Sequence, residues 1–340
     1  MMRARHFLVL PLLLSLSTGA HAEPKYILRI GTVAPDGTSW AREARALSRD
    51  VEIATKGEVR LKWYFGGIAG DDVEMLGRIE RGQLDGAGSG GPLCMKASPS
   101  MAMMRVPGLF ANRDEAAHVL SRLKPTFDEE FRAAGFVHLS STALGQEMVL
   151  SRAPIRTLDE LRKTRMWRWD LDWPAKLTDP ELGLKTVSLP LTEGAAAYDD
   201  HRVDGFLVIP TAALAFQWYT RAHYLLKLRL ALVWGCLVVA NRAWDRLPVE
   251  HQQSVRSAAV KFALRMGEAG RQIDDALLGG LFEKQGLKTT PVSEALRAEF
   301  LSAARTVRDR LGERLIRADL LQRVLVILAD YRAEHTQSSK

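Results

Sequence analysis

Strand-length and helix-length segments alternate along almost the whole chain, and that order restricts the fold more than any single residue does. Ile27–Thr32 alternates apolar and polar side chains and reads as a first strand. Ala34–Ser39 follows as a turn rich in helix N-cap residues. A helix is predicted from Trp40 to Thr55, with Ala41, Ala44, Leu47, Val51 and Ala54 on its inner face. Val59–Phe65 is a second strand, and Asp71–Arg81 a helix with Val73, Leu76 and Ile79 inward. Gly82–Ala87 turns into a short third strand that runs into the loop Gly88–Pro92. Helices near 115–123 and 126–134 lead to a strand at Phe136–Thr142. The second half continues the alternation without repeating the sequence. Its strands are expected at Gln146–Ser151, Arg165–Trp169, Val203–Ile209 and Leu232–Ala240, with Leu182–Val187 read as a helix end followed by a strand; short helices separate them at Leu158–Arg162, from Thr192 to Asp200 and at Thr211–Trp218. Pro248 then opens a long helix from Val249 to about Gly279, able to bridge two bodies. Helices near 293–310 and 316–334 follow, and the charged tail Arg332–Lys340 is expected to fray. The pattern is that of an α/β protein.

The N-terminus assigns a compartment. Met1–His6 is basic, Phe7–Leu16 is apolar apart from Pro11 and Ser15, and Ala20-His21-Ala22 supplies small residues where a signal peptidase reads them. Residues 1–22 are therefore read as a signal peptide, and the mature chain of 318 residues (340 minus 22) is long enough for two cores. No cysteine follows the cleavage site, so a soluble periplasmic protein is expected and not a lipoprotein. The formal charge of +7 falls to +5 without Arg3 and Arg5, a modest surplus with no Lys/Arg block, which argues against nucleic acid.

Two cysteines, Cys94 and Cys236, are too few for a disulfide scaffold or a typical zinc site. Periplasmic conditions would permit them to pair, and the sequence leaves that open. The eight histidines are scattered, with no metal-ligand spacing, so no metal and no cofactor is expected. Gly86–Gly91 satisfies GxGxxG, but Pro92 interrupts the helix a dinucleotide site needs. The same loop loosely mimics a nucleophile elbow, with no histidine well placed to serve it. A secreted hydrolase is the weakest of the readings, and the chain is not expected to be an enzyme.

Several motifs, in their order and spacing, resemble the DctP-type substrate-binding proteins of TRAP transporters. They are Gly31-Thr32-Val33-Ala34-Pro35, Gly82-Gln83-Leu84-Asp85-Gly86, Leu158-Asp159-Glu160-Leu161, Pro190-Leu191-Thr192-Glu193, Val203-Asp204-Gly205 and Asn241–Pro248 before the long helix. The resemblance covers about residues 26–310. It implies a two-lobed periplasmic solute-binding protein fold, with a cleft between the lobes and a long lobe-bridging helix. Lobe one would hold 23–143 plus 234–273 and lobe two 144–233 plus 274–320, with a C-terminal helix and tail at 321–340. It also implies partners: a small organic ligand, and the small and large membrane subunits of an ion-gradient-driven permease. A periplasmic receptor presenting its ligand to a sensor protein is the alternative.

The departures from the family pattern bear on the ligand. The family's carboxylate-clamping arginine falls at Trp167, and Gln146-Glu147 stand at further carboxylate-contact positions. A ligand-stacking aromatic falls at Leu191, and a frequent asparagine falls within Val208-Ile209. A desolvated carboxylate without a partner costs several kcal/mol by order of magnitude. An indole offers one N–H and an apolar face, which contributes about 25 cal/mol per Å2 covered. The expected ligand is amphipathic or largely hydrophobic, a monocarboxylate included. Strand alternation puts Arg165, Trp167 and Trp169 on one face and Met166 and Arg168 on the other. A one-residue slip would bring Arg168 to the cleft in place of Trp167, and both stay open. Thr38 and Ser89, at the C-terminal ends of the first and third strands, are candidates to hold an oxygen. Trp40, Gln217 and Trp218 are candidates to cover the cleft, with ordinary packing as their alternative role.

Overall fold

The computed structural model describes residues 23–337, so the leader and its cleavage site lie outside the described residues. In chain order the strands are β1 (Tyr26–Thr32), β2 (Val59–Tyr64), β3 (Gly86–Ser89), β4 (Phe136–Gln146), β5 (Met148–Ser151) and β6 (Arg165–Trp169). They continue as β7 (Lys185–Leu189), β8 (Gly205–Val208), β9 (Tyr224–Leu226), β10 (Leu232–Ala240) and β11 (Lys288–Thr290). The helices begin with α1 (Ser39–Ala54), α2 (Asp72–Glu80), α3 (Pro92–Ala97), α4 (Arg113–Ala133), α5 (Leu158–Lys163), α6 (Trp173–Glu181), α7 (Gly194–Asp199) and α8 (Pro210–Ala215). They end with α9 (Asn241–Trp244), α10 (Val249–Ala276), α11 (Phe282–Lys284), α12 (Glu294–Leu315) and α13 (Ala318–Gln337).

The strands form two sheets, one ordered β2-β1-β3-β10-β4 and the other β11-β9-β5-β8-β6-β7. In the first, β1 is parallel to β2 and β3, while β10 runs antiparallel to β3 and β4. In the second, β6 is parallel to β7 and β8, and β5 is antiparallel to β8 and β9. The chain crosses between sheets three times: along α10 on the way from β10 to β11, and earlier by two short strand crossings, at Glu147 and along 227–231. The two strand crossings are hydrogen-bonded together: Glu147 N donates to Ala231 O at 2.8 Å, and Leu230 N donates to Glu147 O at 3.1 Å. Gly145 makes this crossing possible, because a Cβ there would lie 2.9 Å from Ile209 Cβ of the second lobe. α10 packs on α1 and β4 and reaches α8 at its far end, so it bridges both lobes. Two α/β lobes with a long bridging helix are thus the architecture.

Several local expectations are corrected. Pro125 does not divide the helix that contains it; α4 runs through it. A mid-helix proline costs about 3 kcal/mol, but Val119, Leu120, Leu123, Phe127 and Phe131 are all buried along α4. Five such burials at about 1.5–3 kcal/mol each outweigh it. α2 turns inward on Asp72, Met75 and Ile79, leaving Val73 62% exposed. Its face is set by the capping box of Asp71 and Glu74. Ala54, at the end of α1, is exposed. The helix after Pro210 stops at Ala215, because Gln217 adopts a left-handed conformation (φ 57°). α3 and the 3-10 turn Pro99–Arg105 were not expected. The tail is helical to Gln337, with Arg332 fastened to Glu115 at 2.7 Å where fraying was expected; the last three residues of that expected tail, 338–340, lie outside the described residues. Cys94 of α3 and Cys236 of β10 form a disulfide, with Cα atoms 5.8 Å apart.

Candidate functional site: the interlobe cleft

A cleft of about 190 Å3 opens between the lobes. Lobe one contributes Trp40 of α1, Trp63 of β2, Phe65 just after it, and Met95, Met101 and Met104. Lobe two contributes Trp169, Leu191, Val208, Ile209, Ala212 and Phe216. Leu144 and Trp234 line it from the strands that enter and leave the crossings. These are apolar surfaces, and their placement follows from the α/β layout: strands end at the cleft and deliver their last side chains into it. Trp63 is held by donating from Nε1 to Ser48 Oγ at 3.1 Å and by stacking on Phe65. Trp169 comes close to lobe one, with its ring 3.9 Å from where a Cβ on Gly90 would sit.

Charge enters the cleft at one place only among its lining residues. Arg105, Glu147, Arg168 and Asp172 border it, and Asp179 stands behind them. Arg168 donates from Nε and Nη2 to Asp179 at 2.9 and 3.1 Å, and from Nη1 to Glu147 Oε1 at 2.6 Å. Arg105 donates from Nη2 to the same Glu147 oxygen at 2.8 Å and also to Asp172. All five are buried. Burial pushes the Asp179 carboxyl up, further than Arg168 brings it back. Burial also works on Asp172, but there Arg105 and Arg168 together win and hold it below the usual carboxylate range. The arginines that face the cleft are therefore already occupied by the protein's own acids.

The candidate residues distribute as follows. Trp167 borders the cleft but is 3% exposed, set against Trp218 at 4.6 Å and Phe206 at 6.4 Å in the lobe-two core. Its Nε1 is buried without a partner and lies toward Gly194, which is not a cleft residue. Arg168 also borders the cleft, so residues from both faces of β6 reach it. Glu147, Leu191, Val208, Ile209, Trp40 and Trp218 line it too. Ser89 lines it with its hydroxyl spent on Asp72 and on the N–H of Gly91. Three candidates do not line it. Thr38 caps α1, donating to Pro35 O at 2.7 Å and accepting from Ala41 N at 3.3 Å. Gln146 sits at the end of β4, paired with Leu232, and Gln217 is an exposed turn residue. The sequence reading missed Arg105, Asp172, the methionines and Trp234. A lone arginine ending the apolar run Met101–Met104 was the available signal for the first.

Asp72 shows how the glycine loop is held. Its Oδ1 accepts from Ser89 and, at 3.0 Å, from Leu93 N, while Oδ2 is buried without a partner. Burial pushes its pKa from 3.8 up to about 6. Between those values the folded state keeps a proton that the unfolded state has lost, so stability falls as pH rises through the window. The difference amounts to about 3 kcal/mol at most. Asp72→Asn is expected to flatten the fall between about pH 4 and 6 in urea midpoints relative to the native chain; parallel curves for the two proteins would refute this.

Residues 30–314 match the family of bacterial extracellular solute-binding proteins, family 7 (DctP), and the chain belongs to that family. A solute-binding protein of Chromohalobacter salexigens is 21% identical over 263 residues, covering 76% of each chain. A TRAP periplasmic solute-binding protein from Haemophilus influenzae, solved with bound L-gulonate, superposes with a TM-score of 0.82 at 17% identity over 89% of this chain and 99% of that one. A sugar-acid-binding protein from Advenella mimigardefordensis, in complex with galactonate, gives 0.83 at 19% identity over 91% and 99%. At these identities the structural likeness is one of fold.

Proposed function

We propose that this chain is a periplasmic receptor that captures a small organic ligand of largely apolar surface in the interlobe cleft and delivers it to the membrane subunits of a TRAP-type permease. Family membership supports the receptor role. The Cys94–Cys236 bond suits an oxidising compartment. No helix among the described residues is long and apolar enough to cross a membrane. We take the lobes as 23–143 with 234–273, and 144–233 with 274–320; these boundaries fall inside β4 and β10, a few residues from the strand crossings, and inside α10. One observation carries the ligand class: the cleft walls are aromatic, aliphatic and methionine side chains, while Arg105 and Arg168 are paired inside the protein.

An acid ligand would have to pull a guanidinium away from a buried carboxylate, exposing an unpaired charge at a cost of several kcal/mol. Apolar contact has no such competitor. Asp128, His138 and Ser141 do form a hydrogen-bonded chain, at 2.8 and 2.7 Å, in the order of a hydrolase relay. The His138 ring lies flat on Phe131 at 4.5 Å, and Asp128 is shared with Lys124. We read this chain as fastening β4 to α4.

The test is direct. The mature protein is purified and denatured, and any released ligand is identified by mass spectrometry. Tryptophan fluorescence titration then compares a monocyclic aromatic probe with succinate. The aromatic probe is expected to bind at least about tenfold more tightly, from roughly 2 kcal/mol or more of ring burial. Tighter binding of succinate would overturn the reading.

A further inference from the structure

Glu147 is a buried carboxylate with one oxygen used twice and the other not at all. Oε1 accepts from both Arg105 and Arg168. Oε2 is buried and has no hydrogen-bond partner. The side chain is 6% exposed, and the residue borders the cleft. The remaining donors nearby are committed elsewhere. Arg168 spends Nε and Nη2 on Asp179; Arg105 spends Nε on Asp172 at 3.3 Å and Nη1 on Leu232 O at 3.4 Å. Three carboxylates thus share two guanidiniums at the cleft's only charged point among its lining residues.

We propose that the ligand carries an amine, an ammonium at neutral pH, on an apolar body of about one ring, and that Glu147 Oε2 receives it. This rests on the reading of the cleft as the ligand site. A buried acceptor left unpaired costs free energy, which a donor on the ligand recovers; a carboxylate offered to the same oxygen meets repulsion and recovers nothing. The surplus of acid over base selects a positive or neutral donor over a negative group. Trp234 Nε1, also buried without a partner, adds room for one acceptor on the ligand and does not offset the charge. The body's size follows from the cleft volume of about 190 Å3, since an apolar cavity of about 150 Å3 takes benzene.

The experiment titrates the mature protein at neutral pH with 2-phenylethylamine, 2-phenylethanol and phenylacetate, which share a ring and differ in the end group. The amine is expected to bind about tenfold or more tighter than phenylacetate, the scale of a hydrogen bond to a charged group, with the alcohol between them. In Glu147→Gln the amine-to-alcohol ratio should fall to about one, and continued binding of the alcohol reports that the cleft is intact. Phenylacetate binding tightest would overturn the amine assignment and leave the apolar cleft standing. An amine preference that survives Glu147→Gln would overturn the role of Glu147. Failure of all three probes to bind would overturn the apolar-cleft reading and this inference with it.

Discussion

Replacing Arg168 with alanine is expected to destabilise the protein by about 3–5 kcal/mol, the usual consequence of removing one partner from a buried ion pair. Arg168 is the only residue that ion-pairs with Asp179 among the described residues, and it shares Glu147 with Arg105. Its loss strands one carboxylate in a dry site and leaves a single guanidinium for the other two. The effect comes from the charge left behind, which a second variant exposes. Arg168→Leu combined with Asp179→Leu should recover much of the loss, because apolar side chains of similar volume often replace a buried pair without penalty. Arg165→Ala, on the same strand, is the control. Its pair with Asp204 is 48% and 31% exposed, and such pairs contribute about 0–1 kcal/mol. Urea unfolding midpoints read all three. Equal losses for Arg168→Ala and Arg165→Ala would show that the buried cluster does not hold the structure together.

Opening the Cys94–Cys236 bond is the second large expectation. The two residues are separated by 142 positions, and closing a loop of that length removes roughly 5 kcal/mol of chain entropy from the unfolded state in the simplest account. Native strain and residual unfolded structure reduce such values, so a loss of about 3–5 kcal/mol is expected for Cys94→Ala with Cys236→Ala. The bond joins α3 to the middle of the first sheet, beside the cleft. Its loss should therefore also loosen the segment that carries Met95. Thermal unfolding with and without dithiothreitol tests this, with the double variant insensitive to the reductant. An unchanged midpoint in the native protein under full reduction would contradict it.

The fold was legible where periodicity was strong. β6 and β10 fall on the residues their alternation and apolar run marked, and the long helix after Pro248 needed only its length and a starting proline. Residues 92–105 were illegible for the opposite reason: Leu93, Cys94, Met95 and Met101–Met104 are buried on every side, so no period survives. The cleft was half legible. Val208 and Ile209, at the end of an apolar strand, could be placed only through the family resemblance. The partners of Arg168 could not, since Glu147 and Asp179 lie 21 and 11 positions away and Arg105 reaches Glu147 across 42. Alternation along β6 correctly separates Trp167 from Arg168 into two faces. It carries no information on whether only one face meets the cleft, and here both do.

The two strand crossings clasp each other at Glu147 and Ala231, and the ion cluster is built on that clasp. Any swing of one lobe against the other is tethered by these crossings and by α10, and points near a tether travel least. The charged contacts can then persist while Trp169 and Gly90, which face each other across the cleft, draw apart. On the proposed reading of the cleft, an entering solute would meet apolar walls that move and a polar cluster that scarcely does, with its chemical selectivity decided at the latter.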